Sequence, residues 1–412
     1  MAYEPTIIKK GVASFSGFGK VGKLADFNFK MDVKNSRGDY RYNSMTLPLE
    51  TKHGNIRVES MGGHFIDTSK SFIYAHGKKL DNNGREVDDF TSQIKIKYED
   101  RNNPEVIKVC GDLCFFRATL ELDDQGKGIE KKFLSEYDFI KYIKEHLTEG
   151  MVVGVRGNIE YNEYKGNLTV RKKLTSIYLA DKKDEELEIK FRQTMITDNN
   201  TLGKPDKETM TAPLDVYIME NVQTFNDKEI IRMVNGKEKK GAVIPFTKSF
   251  DLKITNIEAT KKVAKHFKAK SGKLGTVISV GIFLTEGNAE VKSFNIEDLD
   301  PNVKDLLEAG LIAREELERR YVTSTGGNRK VEKMLVTGID FKVVVTDGGG
   351  VDYTIEADPS VYDERDIEIE NILTAQNAKF KEEIVEDNIP DGGDNPFGDS
   401  DDDSDMDDWD FN

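Results

Sequence analysis

The residue types that could support catalysis or metal binding are few and poorly spaced for either. Cys110 and Cys114 are separated by three residues, with no second cysteine pair, whereas zinc sites need four ligands and redox motifs are usually Cys-x-x-Cys. The five histidines are scattered singly. Adjacent acids remain, such as Asp88 with Asp89 and Asp123 with Asp124. Such pairs are normally solvated, so we expect no enzyme, no metal and no cofactor.

A glycine-rich stretch near the N-terminus matches a phosphate-binding loop in spacing alone. Gly17, Gly19 and Gly22 have the required separation, but strands are predicted after them rather than a helix, and the lysine-serine pair of a nucleotide loop is missing. We interpret these glycines, beside Phe15 and Phe18, as a flexible rim or as a place where a polymer can approach the backbone.

Aromatic and basic residues interleave through the first 180 residues. Sequence-tolerant binding of single-stranded nucleic acid needs aromatic rings on which bases stack and cations that meet phosphates. Phe15 is one candidate ring. The predicted nucleic-acid-binding residues are Phe18, Lys20, Lys23, Tyr40, Arg41, Tyr42, Arg57, Tyr74, Arg156, Tyr161, Tyr164, Lys165, Arg171 and Lys173. No base-reading element is evident, so we expect weak sequence preference.

The elements that position these residues are clearest between residues 135 and 180. Ser135 can cap a helix with an apolar face at Phe139, Ile140 and Ile143. An alternating strand, a hairpin turn at 164–167 and a return strand follow, and a phase change before Ile177 suggests a bulge. A helix leading into a twisted basic hairpin resembles the last third of an OB-fold, a small Greek-key barrel.

The rest of the chain also predicts mainly strands, with a few short helices and extra hairpins inserted in the first barrel. We expect an enlarged OB-like DNA-binding domain at 1–180, a charged linker at 181–186 and a second OB-like domain at 187–370. In the second domain, a helix from Pro301 and strands at 335–345 and 351–355 are expected to form the helix-then-hairpin unit. The lysine-rich segment 261–273 reads equally as a nucleic-acid arm or as a solvated loop.

Composition places the chain among water-soluble proteins. Charged residues make up 33% of the 412 residues, no apolar run approaches the roughly 20 residues that span a bilayer, and the N-terminus lacks a signal-peptide layout, so we expect a cytoplasmic protein. The net charge is −15, but residues 1–180 hold 29 basic against 25 acidic side chains. A groove needs only local positive potential, so acidity does not exclude nucleic-acid binding.

The C-terminal segment, 371–412, is expected to be an acidic disordered tail. Residues 391–412 contain ten aspartates and no basic residue, and such a composition cannot bury enough apolar surface to fold. Aromatic residues nevertheless stand at its end. An aromatic anchor flanked by acids suits a pocket on a partner protein. The predicted partner-binding residues are Asp407, Asp408, Trp409, Asp410 and Phe411.

Two features together resemble the single-stranded-DNA-binding proteins of bacteria and phages. One is the acidic tail that closes on aromatic residues. The other is the spacing of Gly150-Met-Val-Val-Gly-Val-Arg-Gly157, Lys165-Gly-Asn-Leu168 and Ile177-Tyr-Leu179. The resemblance implies coating of single-stranded DNA in replication, recombination and repair, with the tail recruiting partner enzymes and competing with DNA for the groove. Tandem enlarged barrels suggest a phage protein. A structural or assembly protein, such as a virion component, is the alternative.

Overall fold

The chain folds mainly into β-strands, as the sequence predicts. In a computed structural model, the residues described are 3–164, 167–234, 236–288, 296, 301–309, 312–314, 317, 330–345 and 351–381. Helices are few and short, and none in these ranges is long and apolar enough to cross a membrane.

Ten strands and two helices make up the first half. They are β1 (Ala13–Val21), β2 (Phe29–Lys34), β3 (Tyr40–Thr51), β4 (Gly54–Phe65), β5 (Phe72–Leu80), β6 (Glu86–Lys97), α1 (Pro104–Val109), β7 (Phe116–Leu122), β8 (Gly128–Phe133), α2 (Glu136–His146), β9 (Val152–Tyr164) and β10 (Asn167–Leu179).

Five of these strands close into a barrel with the OB order. β1 pairs with β3, β3 with β4, β4 with β10, β10 with β9, and β9 with β1. The β4–β10 pairing is parallel and the others are antiparallel. The helix α2 lies between the third and fourth barrel strands in sequence, as it does in an OB-fold. The predicted bulge is confirmed, because the β9–β10 register shifts between Leu174 and Ser176.

The extra hairpins of the first half lie outside this barrel. β5 and β6 form a separate two-stranded sheet, which has a small core of its own around Ile96 and Phe115. β7 and β8 pair with each other, and β7 also extends the barrel at β10. The insertions therefore enlarge the domain without changing the order of the barrel strands.

The second half contains the remaining elements. They are β11 (Ile189–Thr197), β12 (Thr211–Val222), β13 (Thr224–Phe225), β14 (Lys228–Val234), β15 (Lys237–Lys240), β16 (Ala242–Lys253), α3 (Ile257–Ala264), β17 (Lys273–Asn288), α4 (Pro301–Glu308), β18 (Lys330–Ile339), β19 (Phe341–Val345), β20 (Val351–Ile355), β21 (Ala357–Asp363), α5 (Ile369–Ala375) and β22 (Ala378–Phe380).

A second barrel repeats the order of the first. β11 pairs with β12, β12 with β16, β16 with β18, β18 with β17, and β17 with β11. As in the first barrel, the pairing between the third and fifth strands, here β16 and β18, is parallel. The helix between the third and fourth strands is α3. The tandem OB-like architecture is therefore present in both halves.

The elements of the second barrel differ from those that the sequence suggested. Its helix, α3, begins before the lysine-rich segment that we read as an arm or loop and ends inside it, and its hairpin strands are β17 and β18. The predicted helix from Pro301 exists as α4, but it lies between β17 and β18. Residues 341–355 form a separate hairpin, β19–β20. Residues 371–381, assigned to the tail, include the end of α5 and the strand β22, which pairs with β14.

The two barrels share one sheet and one continuous core. β1 pairs with β11 from Ala13 to Gly17, and a single cluster of buried apolar residues extends across both halves. Gly17 is required at this junction, since a Cβ atom there would lie 2.0 Å from the carbonyl oxygen of Glu188. The glycine-rich stretch thus accommodates the approach of the chain's own β11.

Polar contacts also tie the barrels together. The buried carboxylate of Glu220 on β12 pairs with Lys10 and accepts a hydrogen bond from the backbone N–H of Tyr161, 3.1 Å away. On β17, Thr285 donates its backbone N–H to the carbonyl of His53 at 2.8 Å. Removing Lys10 would leave the buried Glu220 carboxylate without its cation, which costs several kcal/mol. We therefore expect this ion pair to help hold the barrels in one arrangement.

Candidate nucleic-acid interface

Aromatic side chains line the outer face of the β3–β4 hairpin. On β3, Tyr40 and Tyr42 alternate with residues that point into the barrel core. Tyr40 lies opposite Phe65 of β4, and their rings meet edge to face with centroids 5.4 Å apart. Tyr42 lies opposite Gly63, where a Cβ atom would be 2.7 Å from the Tyr40 ring. This glycine lets the three half-buried rings share one face.

A cleft of about 160 Å³ runs beside these rings. Its walls are formed by residues of β3 and β4 on one side and of β9 and β10 on the other. The residues that line it are Tyr40, Tyr42, Glu59, Ser60, Met61, Gly62, Glu160, Arg171 and Lys173. The cleft lies where β10 pairs in parallel with β4, at Lys173 and Glu59. It therefore places two predicted cations next to two predicted rings.

Acidic residues already pair with both cations. The Arg171 guanidinium forms an ion pair with Glu59, and the Lys173 ammonium lies 3.3 Å from Glu136 and 3.9 Å from Glu160. Arg171 and Glu59 are both partly exposed, with 40% and 31% of their side chains accessible. Any phosphate that enters the cleft must compete with these carboxylates for the cations.

Glu136 is the most buried acid of the group. It begins α2 and accepts hydrogen bonds from the Ser60 hydroxyl and from the Met61 backbone N–H. Burial raises the pKa of this carboxyl, and the opposite charge of Lys173 acts against that rise. Because the Ser60 hydroxyl and the Met61 N–H hold the Glu136 carboxylate in place, that carboxylate in turn fixes Lys173 at the edge of the cleft.

A second group of rings and cations lies on the outer face of β1, β9 and β10. Phe18 contacts Tyr178 edge to face, with centroids 6.4 Å apart. The Lys182 ammonium lies 5.3 Å from the centre of the Phe18 ring, and the Arg156 guanidinium lies 5.9 Å from that of Tyr178. This group combines the same two residue types as the cleft, rings and cations, in mutual contact.

Four other predicted cations lie on β1, β3 and β4 or just beyond them. Arg57 is exposed on the outer face of β4, opposite Pro48. Lys20 lies opposite Glu50 in the register of β1 and β3, and Lys23 is exposed just beyond β1. Arg41 belongs to the opposite face of β3 and lies 3.7 Å from Asp32.

Two predicted rings belong to the core. Phe15 is buried, and Tyr161 is only 1% exposed. The Tyr161 hydroxyl donates to Gln193 at 2.9 Å, and burial raises the pKa of this phenol. Both residues occupy the inward phase of their strands, so neither can stack on a base in this structure. We correct the prediction for Tyr161 accordingly.

The remaining predicted residues lie away from the barrel face or outside the description. Tyr74 is on β5, where the Lys95 ammonium lies 5.8 Å from its ring. Tyr164 ends β9, but its side chain is not described, and Lys165 lies outside the described residues, as does the whole tail tip from Asp407 to Phe411.

Phe65, Tyr178 and Lys182 are interface candidates that sequence reasoning missed. Phe65 is on the same face as Tyr40 only because β3 and β4 pair in register. Tyr178 changes face at the bulge between Leu174 and Ser176. The bulge could have revealed Tyr178, since a phase change exchanges the two faces of a strand.

Neither cysteine has the environment of a reactive thiol. Cys110 is buried, and the Cys114 sulfur lies 3.3 Å from Nδ1 of His76. The other ring nitrogen of His76 is 2.7 Å from Asp88. Burial raises the pKa of Cys114 to about 11, which opposes formation of the nucleophilic thiolate. No cluster of three metal-binding side chains occurs among the described residues.

Comparison with known proteins adds a weak similarity of structure. No protein-family model matches the chain, and no curated protein matches it. Among solved structures, the wild-type single-stranded DNA binding protein from Thermus aquaticus aligns with 9% identity over 67% of this chain and 86% of its own, at a TM-score of 0.28. A deletion mutant of that protein aligns with 10% identity over 67% and 88%, also at 0.28.

Proposed function

We propose that this protein binds single-stranded DNA, with little sequence preference and without chemistry, on the outer face of β3–β4 and the adjoining cleft. The observation that carries the proposal is the cluster of Tyr40, Tyr42 and Phe65 beside Arg171 and Lys173. These rings occupy the second and third strands of a closed five-stranded barrel, the face that OB-folds use for oligonucleotides.

The chemistry of this face fits a flexible, unpaired strand. Tyrosine and phenylalanine rings offer stacking surfaces that every base can use, and each stacked base contributes about 1–3 kcal/mol. The segment between β1 and β3 offers further cations to phosphates, interspersed with the exposed Asp26, Asp32 and Asp39: Lys23, Lys30, Lys34 and Arg37. A duplex would hide the base faces, so single strands are the preferred ligand.

The broader role in this proposal follows from the sequence. An acidic tail with Trp409 and Phe411 near its end is suited to recruiting replication, recombination and repair enzymes, and tandem enlarged barrels suggest a phage origin. The protein would act in the cytoplasm of the host cell. The tail's ten aspartates resemble the charge of DNA, so in the absence of DNA the tail would occupy the basic residues of the same face.

Substitutions of Tyr42 test the stacking surface directly. Tyr42→Leu keeps apolar bulk but removes the ring, and we expect it to weaken binding of a fluorescent oligothymidine by about 5-fold to 160-fold, the loss of roughly one stacked base. Tyr42→Phe is the matched control, because it retains the ring and should bind within about 2-fold of the parent. Fluorescence anisotropy at fixed salt measures both.

Equal affinities for Tyr42→Leu, Tyr42→Phe and the parent would remove this face from the binding site. Failure of the unsubstituted protein to bind oligothymidine even at low salt would reject the proposed function as a whole. Thermal unfolding of each variant checks that the half-exposed substitution leaves the barrel intact.

A further inference from the structure

The β19–β20 hairpin presents an apolar face that nothing in the described residues covers. Its register pairs Phe341 with Ile355 and Val343 with Tyr353, and these four side chains share one face with Val351. All five are exposed, from 42% for Ile355 to 65% for Tyr353. Monomeric proteins rarely leave so many large apolar side chains exposed together, and such patches mark interaction sites.

The hairpin is held at its base while its strands project. The Asp340 backbone N–H donates to Ile278 and the Glu356 N–H donates to Asp340, each at 2.8 Å. Arg192 of β11 pairs with both of these acids, at 2.8 Å from Glu356. Beyond this base, β19 and β20 pair only with each other among the described strands. Two isolated strands are marginally stable in water, so a partner for the apolar face would stabilise them.

The opposite face of the hairpin carries polar and charged side chains together with one valine. Lys342 lies opposite Thr354, and Val344 lies opposite Asp352. Lys342 pairs with Glu356 at the hairpin base. The ribbon is therefore amphipathic, with one face suited to an apolar partner and the other to solvent.

We infer that the apolar face of β19–β20 binds the same face of a second copy of this chain, forming a symmetric dimer. The face has no charged side chain among its five exposed residues, so it is compatible with itself, and the acidic tail would gain no ion pairs there. At these exposures the two rings leave about 240 Å² accessible, taking ~200 Å² for a large aromatic side chain, and the three smaller aliphatic side chains bring the face to roughly 500 Å². Two such faces would together bury at most about 1,000 Å², the size of a weak or transient interface.

Sedimentation velocity of the full chain, without DNA, tests this inference between about 1 and 100 μM, the range expected for a modest interface. The parent protein should shift from monomer to dimer across the range. Val343→Lys should weaken dimerisation at least 10-fold, because twofold symmetry places the new charge in the interface twice. Thr354→Lys adds the same charge to the opposite face and should dimerise like the parent.

Three results would overturn the inference. They are a parent that stays monomeric throughout, equal dimerisation by the parent and Val343→Lys, and equal weakening by both lysine variants. The full chain with Trp409→Ala and Phe411→Ala tests whether the C-terminal tail, rather than a second copy, covers the face. If this variant dimerises while the parent does not, the tail covers the hairpin and the inference is wrong. Because no DNA is present, these outcomes are independent of the proposed function.

Discussion

Replacing Glu59 by glutamine should tighten the binding of single-stranded DNA. In the structure, Glu59 forms an ion pair with Arg171 at the cleft beside Tyr42. A bound phosphate must displace this carboxylate before it can use the arginine. The Glu59→Gln variant removes the competing charge but keeps nearly the same side-chain volume, so Arg171 becomes available to the strand.

The size of the effect follows from the exposure of the pair. Both side chains are more than 30% exposed, and ion pairs of that kind are worth about 0.2–1 kcal/mol, which corresponds to a gain in affinity of about 1.5-fold to 5-fold. One more phosphate contact should steepen the slope of log affinity against log salt by about 0.7. The advantage of the variant should therefore fall by roughly 2.6-fold between 50 and 200 mM salt.

Anisotropy titrations of a fluorescent oligothymidine at several salt concentrations measure both quantities. The matched control is Glu238→Gln, which removes the same charge at an exposed position on β15, away from the cleft. If Glu59→Gln and Glu238→Gln change the affinity and the salt slope equally, the gain reflects net charge alone. Arg171 would then be outside the path of the phosphates, and the reasoning would be refuted.

Two further predictions concern the tail and the junction between the barrels. Truncation after Pro390 should tighten oligothymidine binding at low salt and have less effect at high salt, since the removed aspartates would otherwise compete for the same cations; unchanged affinity would contradict a competing tail. At Glu188, burial disfavours the charge, but hydrogen bonds from Lys52, His53 and Lys190 outweigh it and lower the pKa to about 2 from the ordinary 4.5. This ionised carboxylate stabilises the fold above pH 4.5, and its contribution is lost as the pH falls toward 2. Between pH 5.5 and pH 3, the free energy of unfolding measured in urea should fall less for Glu188→Gln than for the parent. An equal fall in both would contradict a stabilising role of the ionised Glu188.

The first barrel was predictable where its signals are local. The α2 helix and the β9–β10 hairpin follow one another directly, so capping at Ser135, alternation and the bulge before Ile177 could be read from neighbouring residues. The structure confirms the helix, the hairpin strands, the bulge and the mainly β fold, but Ser135 stands at the N-cap position of α2 without a side-chain capping hydrogen bond. The five barrel strands could not be chosen from the sequence, because β5 to β8 intervene between β4 and β9 and which strands pair depends on residues far apart in the chain.

The second barrel shows why non-local pairing defeats sequence reasoning. Its hairpin strands, β17 and β18, are separated by more than 40 residues that include α4. The helix α4 and the hairpin β19–β20 follow one another in the expected order, but they are not the helix and hairpin of the barrel. Alternation could have placed Tyr161 in the core, since it shares the inward phase of β9 with Val155 and Ile159, whereas Tyr42 stands in the outward phase of β3.

Photocrosslinking can show whether bases stack on the β3–β4 face, as we propose. Oligothymidine that carries 5-iododeoxyuridine would be bound to the full chain, irradiated, and the crosslinked residues identified by mass spectrometry. Stacking on this face predicts crosslinks at Tyr40, Tyr42 or Phe65. Saturable binding with crosslinks confined to the second barrel, for example at Tyr217 of β12, would contradict it.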